Sequence, residues 1–182
     1  MYQRILVPID GSATSDRGLD ESIRLAKLTG ARLGLVHVVD RLIYSTGMEF
    51  DSGDIAGILM DAGAQILAKA KARVEASGVP VEAVLADSYE GRVCDVVVAQ
   101  AKVWNADLVV IGTHGRRGVR RLFIGSDAEQ IVRVAPVPVL LVRSQAPRPA
   151  SVRSLALERR RRQSTSLLPD EATFRPGPRS RG

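Results

Sequence analysis

The stretch that decides the fold is ADLVVIGTHGRRGVRRLFIGSDAEQIVRVAPVPVLLVR, residues 106–143. It opens on an apolar run, 106–112, of the kind expected of a strand buried on both faces. Residues 126–135 read as a helix, and 137–143 as another buried strand. A strand, a loop, a helix and a second strand make a βαβ unit, whose two strands pair in parallel. Between strand and helix lie Gly112, Gly115 and Gly125, together with Arg116, Arg117, Arg120 and Arg121.

The same alternation runs back to the N-terminus. RILVPID (4–10) is a short apolar run ending in Pro and Asp, and GSATS (11–15) supplies turn and N-cap residues. Residues 16–28 place Leu19, Ile23 and Ala26 at helical spacing, with Gly30 as the stop. Residues 31–40 predict a second strand, 41–53 a loop, and 54–77 a long alanine-rich helix stopped by Gly78. A weaker third strand (79–88) precedes a helix over 90–104, which carries Val93, Val97 and Ala101 at helical spacing. Five strands separated by helices predict a doubly wound, five-stranded parallel α/β sheet with flanking helices. Right-handed crossovers leave few topologies for it.

Past residue 144 the pattern stops. Residues 145–182 are rich in Arg, Pro and Ser with one short apolar cluster, and predict a disordered basic tail behind a single domain over 1–144. The tail holds nine Arg against three acidic residues, and the whole net charge is +6. Residues 1–144 are therefore neutral, which removes the general electrostatic reason for the folded part to bind nucleic acid. No apolar run approaches the roughly 18 residues that span a bilayer, and the N-terminus enters a strand at once instead of forming a secretory signal. One cysteine, Cys94, cannot form an internal disulfide; these features together predict a cytoplasmic protein. Cys94 falls on a buried helix face as a small hydrophobe, and Trp104 at a helix end. His37 and His114 lack a carboxylate cluster and so define no metal site.

In open parallel sheets, ligands bind at the C-terminal ends of the strands, where connections diverge. Asp10, residues 38–40 and Gly112 all fall at such ends. Gly112 and Gly115 let the backbone turn sharply and approach a ligand closely. Gly125 and Ser126 stand at a helix start, where free N–H groups and the helix dipole favour an anion. The arrangement suits a mononucleotide with its phosphates at that helix. A plainer reading is available for each feature. Ser126 with Glu129 is the S-x-x-E of a capping box, Gly125 can serve the turn alone, and the arginines can be a solvated face. The joint pattern, G-x2-G-x9-G-[ST], is expected by chance in about one chain in a hundred of this length.

On ILVPIDGS, HVVD, ADLVVIGTHGRRG and GSDAEQIVRVAPVPVLLVR, the chain resembles the universal stress protein family over residues 2–143, and its glycine spacing resembles that of the ATP-binding subgroup. The resemblance implies the strand order 3-2-1-4-5, a homodimer, and a regulatory stress-response protein that binds ATP, with Mg²⁺, and hydrolyses it slowly at most. It implies a site built from Pro8, Ile9, Asp10, Val38, Ile111, Gly112, Gly115, Arg116, Gly125, Ser126 and Asp127. Asp10 would meet the ribose or the metal–phosphate group, and the Val38 backbone would read the adenine. Ile111 and Gly112 would line the base and ribose pocket, and Gly115, Gly125 and Ser126 would hold phosphates. Asp127 departs from the pattern, since nucleotide-binding relatives often have an apolar residue there; a carboxylate beside a triphosphate weakens binding unless neutralised. The apolar strand 137–142 is expected at the sheet edge, where it invites a second copy. No phosphate-loop or adenylation signature and no nucleophile–base pair supports an enzyme. The alternative is a dimeric interaction module of the same fold that binds no nucleotide and acts on protein partners of unknown identity.

Overall fold

The computed structural model describes residues 1–40, 52–88, 92–113 and 125–143. Nine elements alternate along it: β1 (Arg4–Pro8), α1 (Ala13–Thr29), β2 (Arg32–Val39), α2 (Ser52–Ala76), β3 (Val81–Asp87), α3 (Val93–Val103), β4 (Leu108–Gly112), α4 (Ser126–Val134) and β5 (Val139–Val142). The strands form one parallel sheet in the order β3-β2-β1-β4-β5. The expected topology is therefore the observed one. The tail prediction lies outside the described residues, as do residues 41–51 of the loop expected over 41–53; its last two residues, Ser52 and Gly53, instead belong to α2.

Strand residues alternate between two apolar layers, as a period of two requires. Ile5, Val7, Leu33, Leu35, Leu108 and Val110 face Leu19 and Ile23 of α1 and Leu67, Ala70 and Val74 of α2. Leu6, Val36, Val109 and Ile111 face Cys94, Val97 and Ala101 of α3 and Ala128 and Ile131 of α4. Both faces of the sheet are thus covered, which is why the strands read as continuous apolar runs. Each of the large side chains buried there contributes roughly 1.5–3 kcal/mol.

Helix and strand ends have local causes. Ser12 is extended (φ −78°, ψ 157°) and its Oγ accepts from the Ser15 N–H, so α1 begins at Ala13, three residues before the expected start. Gly30 closes α1 in the left-handed region (φ 74°) with its N–H on the Ala26 carbonyl. β3 and β5 both begin later than their apolar runs. Pro80 and Pro138 have no N–H, and give only a carbonyl, to Leu33 N–H at 2.8 Å and Val109 N–H at 3.0 Å.

At the N-terminal edge of the sheet, Trp104 follows α3 and is buried, as expected of it. It packs over Gly34 of β2, where a Cβ would stand 3.0 Å from the ring. Arg4 lies over the ring at 4.5 Å, and the indole N–H donates to Glu82 at 3.1 Å. This cluster closes the edge opposite the candidate site.

Candidate functional site

The order β3-β2-β1-β4-β5 reverses between β1 and β4, which are neighbours although not consecutive. α1 and α2 pack on one face and α3 and α4 on the other. The connections leaving β1 and β4 therefore diverge, and open a crevice at the C-terminal ends of these two strands.

Two helices start near that crevice, and they differ in how their first N–H groups are satisfied. α1 is closed by its own residues. Ser12 Oγ accepts from Ser15 N–H at 3.2 Å, and the Asp10 carboxylate accepts from Ser12 N–H at 2.9 Å. The Asp10 N–H in turn donates to Ser15 Oγ at 3.2 Å. Asp10 is half-buried and fixed at the mouth of α1. α4 is open by comparison. Its N-cap is Gly125, with no side-chain hydrogen bond, and Ser126 is already the first helical residue, exposed.

The capping-box reading of Ser126 is therefore corrected. Glu129 N–H bonds to the Gly125 carbonyl at 2.9 Å, and its carboxylate pairs with Arg133 at 2.8 Å. With Gly125 at the cap, Glu129 sits one position too far along to reach back. Gly125 itself has φ −58° and ψ 149°, which any residue adopts, so the turn alone does not call for glycine.

α4 is tied directly to β4. Thr113, buried, donates its N–H to Val142 at 2.9 Å and accepts from the Gly125 N–H at 2.8 Å. The chain therefore leaves the sheet at Thr113 and returns to the same residue at Gly125. Gly112 pairs with Val142 and lies against α1: a Cβ there would stand 2.7 Å from Thr14 backbone. The contact draws the Asp10 segment, the end of β4 and the start of α4 together. Pro8 ends β1, Ile9 is buried next to it, and Ile111 is buried in β4. Val38 lies within β2, paired with Ala86 of β3. Gly115, Arg116 and His114 lie outside the described residues. Asp127 is exposed in the first turn of α4.

Beside α4 an open groove of about 410 Å³ is lined by Arg92, Ser126, Glu129, Gln130, Arg133 and Val134. Its charges are matched within the protein. Arg92 pairs with Asp95 at 3.2 Å and donates to Gln130 at 2.6 Å. The hydrogen bond from Arg92 holds the Asp95 carboxyl below its ordinary value. Cys94, buried under α4, has its thiol pushed up by burial and then by the Asp95 carboxylate, so it is not a ready nucleophile. Among the described residues, no group of three His, Cys, Asp or Glu could hold a metal ion.

A comparison with protein families matches residues 1–143 to the universal stress protein family. The chain belongs to that family. A universal stress protein of Thermus aquaticus is 35% identical over 146 residues, which is 79% of this chain and 100% of that one. A crystal structure from the family in Burkholderia pseudomallei is 32% identical with a TM-score of 0.65, covering 78% of this chain and 96% of that one. A universal stress protein crystallised in complex with cAMP is 25% identical, with a TM-score of 0.60, over 79% of this chain and 99% of that one.

Several buried polar groups of this universal stress protein near the candidate crevice were not singled out from sequence. Thr14, Ser15, Thr113 and Ser88 are buried near the strand ends. The hydroxyls in GSATS were legible only as turn and cap residues, and Thr113 gave no signal apart from its place after an apolar run. His37 is buried, and its Nδ1 bonds to the Ile9 carbonyl at 2.6 Å.

Proposed function

We propose that this universal stress protein is a regulatory stress-response protein that binds an adenine nucleotide, ATP with Mg²⁺, in the crevice between β1 and β4. The observation that carries the reading is the start of α4. Its N-cap is a glycine, which offers no side-chain cap, and it is fastened by the Gly125 N–H to Thr113 at the end of β4. Backbone N–H groups there, with the helix dipole, suit phosphate oxygens. Gly125 and Ser126 would hold phosphates, joined by Gly115 and Arg116. Asp10 would reach the ribose or the metal–phosphate group, and Ile111, Gly112 and Val38 would line the base and ribose. Pro8 and Ile9 would shape the floor beneath them. The relative crystallised with cAMP supports an adenine ligand. Mg²⁺, when bound with the triphosphate, would neutralise oxygen charge beside Asp10 and Asp127. Slow hydrolysis at most is what the resemblance to the ATP-binding subgroup implies.

Calorimetric titration of the full chain with Mg-ATP is expected to give binding in the micromolar range. Ser126→Glu should abolish it by placing a carboxylate at the phosphate position, and Asp127→Val should tighten it. No heat at millimolar Mg-ATP, AMP or cAMP would sink the reading.

A second reading is favoured by exposed Asp127 in the first turn of α4: a dimeric interaction module that binds no nucleotide. Mass spectrometry of protein purified without added nucleotide separates the two, since retained ATP or AMP excludes the module. In either case the homodimer would form through the edge strand, the surroundings would be the cytoplasm, and the protein partners are of unknown identity. No described helix is long and apolar enough to cross a membrane.

A further inference from the structure

His37 sits on β2, buried to 5% exposure, one residue before Val38. Its Nδ1 lies 2.6 Å from the Ile9 carbonyl oxygen. A carbonyl only accepts, so Nδ1 carries the proton and donates. The bond falls where β1 leaves the sheet. Ile9 still gives its N–H to the Val36 carbonyl at 2.8 Å, but the strand itself ends at Pro8. A side chain thus supplies the bond that holds the Ile9–Asp10 peptide as the chain turns away.

The imidazole is fixed from behind by α2. A Cβ on Gly63 would stand 2.7 Å from His37 Cδ2 and 3.0 Å from Nε2, so only glycine lets the ring lie there. The same helix meets the Asp10 turn: Gly11, at φ +78°, faces Ile66 at 3.3 Å from its Cβ position. α2, the imidazole and residues 9–11 are packed as one block. Immediately beyond Ile9, the Asp10 carboxylate receives Ser12 N–H and its own N–H meets Ser15 Oγ. A shift of the Ile9 carbonyl would therefore move the carboxylate.

We infer that His37 is a positioning residue for the nucleotide site: through Nδ1–H to the Ile9 carbonyl it sets where the Asp10 carboxylate stands. This rests on the nucleotide-binding reading above. A histidine serving packing alone would be replaceable by an apolar side chain of similar volume. A positioning histidine needs its donor, and groups that orient a ligand-binding residue matter for affinity even without touching the ligand.

The test compares the full chain with His37→Leu, which removes the donor, and His37→Asn, whose carboxamide N–H₂ takes roughly the place of Nδ1. Two readouts are used: Mg-ATP affinity by calorimetry and amide hydrogen exchange. His37→Leu is expected to lose about tenfold in affinity. The Asp10 and Ser12 amides should exchange about tenfold faster in it, while those of β4 keep their rates. His37→Asn is expected to restore both. Wild-type behaviour of His37→Leu, or an equal loss in both variants, overturns the inference. Should the wild-type protein bind no Mg-ATP, the nucleotide reading fails, and exchange at Asp10 and Ser12 alone decides the role of His37. Should His37→Leu fail to fold, the wild-type imidazole ¹⁵N spectrum decides. An Nδ1–H that responds to Mg-ATP supports the inference, and an Nε2–H tautomer or an indifferent resonance overturns it.

Discussion

A Cβ on Gly112 would stand 2.7 Å from both the carbonyl carbon and oxygen of Thr14 and 3.0 Å from Ser15 nitrogen. These are backbone atoms of the first turn of α1, which cannot rotate aside. The glycine that the ligand pattern singles out thus has a packing role of its own: it lets α1 seat on the end of β4. Gly18, one turn along, makes the matching approach to Gly112 nitrogen at 3.5 Å from its Cβ position. Gly112→Ala is expected to destabilise the fold by about 1–3 kcal/mol, as overpacking against fixed neighbours does. Urea unfolding without nucleotide measures it; a variant as stable as wild type would show that α1 can move freely. Gly125 makes the opposite case in its backbone, since its φ of −58° does not demand glycine.

At the scale of elements, the two edge strands are treated differently. β3 lies under α2, pairs with β2 along its length and carries Glu82, bonded to Arg32 and Trp104. β5 is short, and among the described residues only β4 pairs with it. Val139 and Leu141 pack toward α4, while Leu140 between them is 38% exposed. Val132 and Val134 of α4 are exposed as well. An apolar edge of this kind favours pairing with a second copy. Leu140→Asp is expected to convert a dimer to monomer in sedimentation, with the helical signal unchanged. A wild-type chain that sediments as a monomer refutes the proposed interface. The helices were the elements most legible in sequence, because Leu19, Ile23 and Ala26, or Val93, Val97 and Ala101, recur at helical spacing and Gly30 and Gly78 stop the chain. Strand ends were less so. An apolar run does not reveal where a proline withholds its N–H from the ladder, as Pro80 and Pro138 do.

For the whole molecule, charge and fold are segregated along the chain. All described elements lie within residues 4–142, while the excess of arginine lies beyond residue 144. We propose that residues 1–144 form a self-sufficient domain. A chain ending at residue 144 is expected to unfold cooperatively at the wild-type midpoint and bind Mg-ATP unchanged. It should also lose any salt-sensitive association with polyanions. A lowered midpoint in thermal unfolding would show that the domain extends further.

Sequence alone determined the alternation of buried strands and amphipathic helices, and with it a parallel α/β sheet, because burial on both faces leaves a period that neighbours in the chain reveal. The glycine spacing and Asp10 could be read in the same way, and Asp10 and Gly112 fall at the C-terminal ends of β1 and β4. What the tertiary structure decided was partnership. That α1 is capped by its own serine while α4 is not, that Gly112 makes room for Thr14, and that His37 holds the Ile9 carbonyl all depend on atoms distant in the chain. Such contacts leave no periodic trace, since a hydrogen bond or a missing Cβ acts between single residues whose separation only the fold sets.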